Sequence, residues 1–320
     1  MDKLVDVTQS EFRQFFKCEK SWWLKYSRGL RRDAGPALVR GSAVHQAIEH
    51  SDPAAARKYL ADAGALAAFS PEEHDKAEVL ARTCEAMARC ALTAWPDWPT
   101  RREMVFRVPL VNPATGRASS RHQLAGKVDG LWYSLPPGAA AQHPGLKPGA
   151  PCLMEFKTTS RIDRQWRQRW PIDIQPPTYV DALSASIERD IRQTLIRAVK
   201  TTGFTPPWKQ RKKVPDTVGD YCDRIDATYD DAARLYLAGE DQRYLAEVAL
   251  AHTEDELVRH RRQKWEIHQR MLAVARGASL PVMNPNSCLT PYLCDFFDLC
   301  TGEATEADYN LVTNTHPELS

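Results

Sequence analysis

The sequence predicts an α/β fold: a sheet built from the middle of the chain and flanked by helices, with a helical part before it and a helical insertion after it. Three observations carry this reading. Residues 102–110, 122–135 and 151–158 are strand-like runs separated by turn signals, Asn112-Pro-Ala-Thr-Gly116 and a Pro/Gly-rich loop over 135–150. Residues 71–94 are rich in Ala and Glu, with apolar positions at helical spacing, and read as a packing helix. Two charged helical stretches within 226–276 read as an added segment of the same unit.

Taken in order, the chain opens on Thr8-Gln-Ser-Glu11, a capping box in which the Thr8 hydroxyl accepts from the Glu11 amide while Glu11 reaches back. Phe12, Phe15 and Phe16, then Trp22 and Trp23, would pack that helix onto the body. Residues 41–49 read as a helix start carrying His45, with Ala43, Ala47 and Ile48 available for packing. Residues 173–189 read as a further helix, since Pro176 and Pro177 are tolerated only in a first turn and Gln175 and Tyr179, at i and i+4, share one side. Residues 301–320 are polar and read as a loosely held tail. The expected layout is one domain over 1–320, with a helical part over 1–100, a sheet core over 101–200, a basic and helical segment over 201–280 and a Cys-rich closure over 281–320.

Composition bounds the function classes. The chain has 320 residues, 43% of them hydrophobic, enough for a buried core, and a net charge of +2. No run of about 18 apolar residues and no apolar signal core occurs, so the expected setting is the cytoplasm of a bacterium or of a phage-infected host, with no membrane contact. A phosphate-cradling glycine loop and a Walker motif are absent, which excludes an ATP-driven motor.

The chemistry concentrates in two short motifs, Gly126-Lys-Val-Asp-Gly130 and Glu155-Phe-Lys157. In an extended segment residues i and i+2 lie roughly 7 Å apart on one face, so Glu155 and Lys157 look into one site. Asp129 and Glu155 can hold a hard divalent cation while Lys157 orients a water and offsets phosphate charge. Alone, the pair reads first as an ordinary surface ion pair on a strand, a pattern that chance supplies in most chains of this size.

The surrounding motifs resemble the RecB-like branch of the PD-(D/E)XK nuclease superfamily, in particular its iron-sulfur members from phages and CRISPR-adaptation systems. Phe16-Lys-Cys-Glu-Lys-Ser-Trp-Trp-Leu-Lys-Tyr26 is similar to the opening cysteine segment of that branch, and Gly41-Ser-Ala-Val-His45 to its histidine motif. Then follow Gly126 to Asp129, Glu155 to Lys157, Gln175-Pro-Pro-Thr-Tyr179 as the Q-x-x-x-Y motif, and a C-terminal cysteine group, all in the family's order. The resemblance implies a restriction-endonuclease-like core, a central mixed sheet flanked by helices, with residues 191–199 as its last strand. It also implies a metal site of His45, Asp129, Glu155 and the Phe156 carbonyl, catalytic roles for Lys157, Glu155, Asp129, Gln175 and Tyr179, and Mg²⁺ or Mn²⁺ as one or two ions.

Eight cysteines in such a chain argue for metal or buried thiols over disulfides. Cys288, Cys294 and Cys300 form a C-x5-C-x5-C run without the paired knuckles of most structural zinc sites, and three thiolates leave a fourth position open. The resemblance supplies Cys18 for it and implies a 4Fe-4S cluster joining the two ends of the chain. Its members often end C-x2-C-x5-C, so only the last spacing coincides, and structural Zn²⁺ or no metal remain alternatives. Cys84, Cys90, Cys152 and Cys222 read as buried small hydrophobes.

Two stretches mix cations with aromatic rings. Residues 191–215 hold Arg192, Arg197, Lys200, Lys209, Arg211, Lys212 and Lys213 with Phe204 and Trp208 and no acidic residue; residues 161–170 interleave Arg161, Arg164, Arg167 and Arg169 with Trp166 and Trp170. Cations neutralise phosphates and rings stack on unpaired bases, so Arg167, Trp170, Lys209, Arg211, Lys212 and Lys213 are expected DNA contacts, a solvated loop with core tryptophans being the alternative. The combined expectation is a Mg/Mn-dependent deoxyribonuclease, most simply an exonuclease acting on DNA ends or single strands in recombination, repair or replication beside a recombination or single-strand-binding protein. The alternatives are a DNA-end-binding adaptation factor with minor cleavage, or an RNA-directed nuclease.

Overall fold

The computed structural model describes all residues except 1–3, 33–34, 67–68, 70–73, 212–213, 215, 241–242, 290–292 and 320. The expected helix α1 (Gln9–Lys17) is there, with its capping box complete: Thr8 and Glu11 bond each other reciprocally. It is preceded by a strand that sequence reasoning missed, β1 (Val5–Thr8). After α1 come α2 (Glu19–Trp22), a π-helical turn over Trp23–Ser27, β2 (Leu30–Arg31) and α3 (Pro36–His50), which starts before the expected 41. α4 (Ala54–Asp62) and α5 (His74–Ala94) complete the helical part. The sheet core follows as β3 (Arg101–Val111), β4 (Ala118–Trp132), a short α6 (Pro137–Ala141) and β5 (Cys152–Thr159), then α7 (Arg164–Gln168), α8 (Gln175–Ile187) and β6 (Gln193–Lys200). α9 (Val218–Leu237) and α10 (Glu254–Ala275) are the two expected later helices, but β7 (Leu245–Ala251) runs between them and pairs antiparallel with β6. Residues 191–199 are therefore not the last strand. β7 covers the edge that β6 would otherwise leave open.

Among the described residues one six-stranded mixed sheet runs β1-β4-β5-β6-β7, with β3 on the other edge of β4. Alternation along β5 divides the protein into two layers. Cys152, Met154 and Phe156 face a core shared with α3, α5 and α9, and Leu153 faces one shared with α1, α8 and α10. Glu155 and Lys157 have the parity of Leu153, so the E-x-K pair looks out on the α1/α8 side.

The expected loose tail is instead anchored. α11 (Phe297–Thr301) leads to β8 (Asn310–Leu311), which pairs with β2, and Tyr309 stacks on Phe296 in a small cluster with Leu24 and Leu30. His316 Nε2 lies 2.8 Å from buried Glu11 Oε1, tying the C-terminal segment to α1.

Candidate active site

The long strand β4 creates the site by splitting its partners. Along one edge, residues 122–125 pair with β1 and residues 130–132 pair with β5, so Gly126 to Asp129 lie in the fork between the two neighbours. Where the β4–β5 ladder ends, the Asp129 side chain takes over: its Oδ2 accepts from the Phe156 backbone N–H at 2.6 Å.

Side chains from four elements converge there. Lys157 Nζ is 2.7 Å from Glu155 Oε2 and 3.7 Å from Asp129 Oδ2. Gln175, the first residue of α8, donates from Nε2 to the same Glu155 oxygen at 2.7 Å, as expected of the helix side it shares with Tyr179. His45 comes from α3, its Nδ1 3.4 Å from Asp129 Oδ1 and its ring edge-on to Phe156. α3 can cross β5 this closely because of Gly41, where a Cβ would stand 3.2 Å from Thr158 Oγ1.

A third acid was not foreseen. Glu103 on β3 lies opposite Asp129, bracketed by the pairs Arg102↔Gly130 and Met104↔Val128. Its φ of +50° is a left-handed conformation that a non-glycine residue adopts at a cost of about 1–2 kcal/mol. That turn of the backbone brings Glu103 Oε1 to 4.0 Å from His45 Nδ1, while Oε2 pairs with Lys127 Nζ at 2.5 Å. Donor atoms of His45, Glu103 and Asp129 all lie within 4.8 Å of one another, the spacing of ligands on one ion.

Electrostatics fit a cation. Burial works against ionisation of Asp129, but His45 and Lys157 outweigh it and hold the carboxyl well below its usual range. Glu155 is shifted the other way, burial being only partly offset by Lys157. Burial likewise disfavours charge on His45, yet Asp129 and Glu103 raise its pKa to about 9. Glu155 is 1% exposed, and its Oε1 has no hydrogen-bond partner. An unpartnered buried carboxylate oxygen is costly unless a cation or water meets it.

Tyr179 is buried, edge-on to Phe106, and beside Gly126, where a Cβ would meet Phe106 Cζ at 2.6 Å and Tyr179 Cε1 at 3.2 Å. Trp170 is 1% exposed and stacks edge-on with Trp166 over Ile196, Ala198 and Ala246, so it is a core residue and not a base-stacking platform. Arg197 is also buried, bonded to Glu247 and Asp97 among Trp95, Trp98 and Trp132. Arg167 reaches the Glu247 carbonyl, and Lys209 and Arg211 are exposed. Lys212 and Lys213 lie outside the described residues.

The four cysteines named for a cluster converge although 270 residues separate Cys18 from Cys288. The Asn284 amide donates to Cys18 Sγ and the Asn284 carbonyl accepts from Cys288 Sγ. Burial raises the Cys294 and Cys300 thiols, Lys17 and Lys20 respectively pull them down, and each of the two feels Cys18 and Cys288. Cys84, Cys90, Cys152 and Cys222 are buried, and burial raises all four thiols.

Among the described residues no helix is long and apolar enough to cross a membrane. No curated protein shows a significant match to the chain. The chain is similar in structure to a candidate exonuclease from Eubacterium rectale, with a TM-score of 0.52 over 93% of this chain and 88% of that one at 12% identity, a likeness of fold alone. The family model of the PD-(D/E)XK nuclease superfamily matches residues 6–301, the span that holds the fork, His45, Gln175 and all eight cysteines. With the fold, the motif order and that match in agreement, the chain belongs to the PD-(D/E)XK nuclease superfamily.

Proposed function

We propose that the chain is a metal-dependent deoxyribonuclease working as an exonuclease on DNA ends, in recombination, repair or replication in the cytoplasm. The observation that carries this is the fork itself: Lys157 Nζ lies 2.7 Å from Glu155 and 3.7 Å from Asp129, Glu155 Oε1 is buried without a hydrogen-bond partner, and Asp129 groups its ligand atom with those of His45 and Glu103. The donor set of carboxylates and one imidazole fits Mg²⁺ or Mn²⁺, held by His45, Asp129, Glu155 and the Phe156 carbonyl, with Glu103 added. When bound, such an ion acidifies a water and offsets the charge of the phosphate.

The protein's own groups do the rest. Lys157 Nζ donates to the incoming water, fixing a lone pair toward phosphorus, and its charge favours the dianionic transition state. Gln175 holds the Glu155 carboxylate in one rotamer by its 2.7 Å bond, leaving Oε1 for ligation. Glu103 and Asp129 lie opposite each other on the adjacent strands β3 and β4, so His45 is oriented between two acceptors. As the water gives up a proton to solvent and its oxygen bonds to phosphorus, the bond to the leaving strand's oxygen breaks and that oxygen takes up a proton from solvent.

Cys18, Cys288, Cys294 and Cys300 form a donor set suited to a 4Fe-4S cluster, which would staple the N-terminal segment to the C-terminal closure. The convergence of four thiols outside any C-x2-C knuckle supports iron-sulfur over zinc. End-labelled DNA with Mg²⁺ or Mn²⁺ tests the proposal: wild type should shorten it, and Lys157→Ala should lose at least two orders of magnitude of rate while still binding DNA. Full cleavage by Lys157→Ala would overturn the assignment of the site.

A further inference from the structure

Next to the fork, α1 turns Arg13, Phe16 and Lys17 outward while Phe12 and Phe15 are buried. Phe16 is 76% exposed, and Ile172, across a hollow of about 570 Å³, is 84% exposed. Phe12, Ile174, Thr178 and Ile267 line the same hollow. Beyond Phe16 a second hollow of about 400 Å³ runs past Lys17 and Cys18 to Arg270. Large apolar side chains left in water at the mouth of a cleft mark a surface that receives something.

Two observations identify the occupant. The groove neighbours the catalytic fork along α8: Thr178, which lines it, lies one turn beyond Gln175, which bonds Glu155, and Arg13 pairs at 2.5 Å with Asp173, between Ile172 and Ile174. The charge lining the two hollows is mainly positive, Lys17, Arg262, Lys264 and Arg270 against Glu19 and Glu266, with the Arg13–Asp173 pair beside them. Arg13 also bears electrostatically on Lys157 and Arg169. An apolar slot between cations at the catalytic mouth suits a strand whose bases are unpaired, because bases need a ring or aliphatic wall and phosphates need cations. From Arg13 to Lys17 the helix rises about 6 Å, close to one nucleotide of an extended strand.

We propose that this groove receives the unpaired end of single-stranded DNA, with a base held between Phe16 and Ile172 and its flanking phosphates on Arg13 and Lys17. The proposal rests on the nuclease reading of the fork and adds to it the form of the substrate. The test is photo-cross-linking of an oligothymidylate carrying 5-iododeoxyuridine, in EDTA so that no strand is cut, followed by peptide mapping and by affinity measurement. Phe16 should be recovered in the cross-linked peptide, and Phe16→Ala and Ile172→Ala should each weaken oligothymidylate binding about tenfold, the order of one lost stack. Both side chains are exposed, so neither change threatens folding. Cross-links confined to other segments with unchanged affinity would overturn the proposal and leave the groove to a protein partner. The two readings fail separately: cleavage by Lys157→Ala with Phe16 still cross-linked sinks the catalytic assignment alone, and active wild type with no role for Phe16 sinks the groove alone.

Discussion

Gly126→Ala probes the link between packing and the site. A Cβ at Gly126 would lie 2.6 Å from Phe106 Cζ, 2.9 Å from its Cε1 and 3.2 Å from Tyr179 Cε1. Carbon atoms rest at about 3.5–4.0 Å, so Phe106 must move by about 1 Å. It is 3% exposed and wedged edge-on against Tyr179, so the push passes into α8. Overpacking of this kind costs about 1–3 kcal/mol, and the lower chain entropy of alanine returns about 0.5–1 kcal/mol. At about 0.7 kcal/mol/K of unfolding entropy for 320 residues, the net of about 0–2.5 kcal/mol should lower Tm by up to about 4 °C, about 2 °C at mid-range. The catalytic effect should be larger, because Gln175 sits one turn from Tyr179 and holds Glu155 at 2.7 Å. A 1 Å misplacement there costs about 10²-fold in rate. Phe106→Leu removes both clashing ring atoms, so the double variant should recover rate relative to Gly126→Ala, measurable by scanning calorimetry and initial rates in a double-mutant cycle. A Gly126→Ala protein with unchanged rate, or a double variant no better than the single, refutes this chain of reasoning.

Metal binding should be visible without catalysis. At a hundredfold excess over its dissociation constant Mn²⁺ should stabilise the native state by about 2.7 kcal/mol, raising Tm by about 4 °C, and Asp129→Asn should abolish that rise; an equal rise in the variant places the ion elsewhere. His260 gives a pH test. Burial, then Lys264, lowers its pKa to about 3, so the unfolded chain binds the extra proton as pH falls below the ordinary 6.5 and stability, complete above 6.5, is lost toward 3. At pH 5 the loss is about 2 kcal/mol, or about 3 °C, and His260→Gln should flatten the Tm profile between pH 7 and 5 by that amount, an unflattened profile counting against it. Anaerobically purified protein should be brown with about four irons per chain, and Cys18→Ser should lose as much iron as Cys300→Ser while Cys84→Ser loses none; full iron content in Cys18→Ser would show the fourth ligand to be another group.

What was legible in the sequence was local. The capping box at Thr8 and Glu11, the strands around both motifs and the Gln175 side of α8 each follow from neighbours a few residues apart, and the structure has them where the spacing puts them. β1 and β7 were missed because each is stabilised by a strand far away in sequence. Leu245–Ala251 reads Leu-Ala-Glu-Val-Ala-Leu-Ala, a run of helix formers that the exposed edge of β6 overrides. Trp166 and Trp170 failed as strand contacts for a related reason: cations alternating with rings describe a groove and an amphipathic turn equally, and only the sheet beneath them decides.

Glu103 shows how a site residue can be hidden even when its motif is not. Counting back along the hairpin from the pair Val111↔Ala118 puts Glu103 opposite Gly126, on a part of β4 with no acid. The register shifts between Pro109 and Val111, and by Pro109↔Gln123 the pairing has slipped three residues, which carries Glu103 to Asp129. One irregularity in the ladder thus decides whether the site holds two carboxylates or three, and side-chain period cannot reveal it. The positive φ at Glu103 is the trace of that constraint: a regular strand would direct the side chain by simple alternation, and here the backbone accepts strain to bring it toward His45. If that strain serves the ion, Glu103→Gly should relieve it and leave the fold at least as stable while weakening the Mn²⁺-dependent rise in Tm. A fold that loses stability with its metal response intact would make Glu103 a structural partner of Lys127 and nothing more.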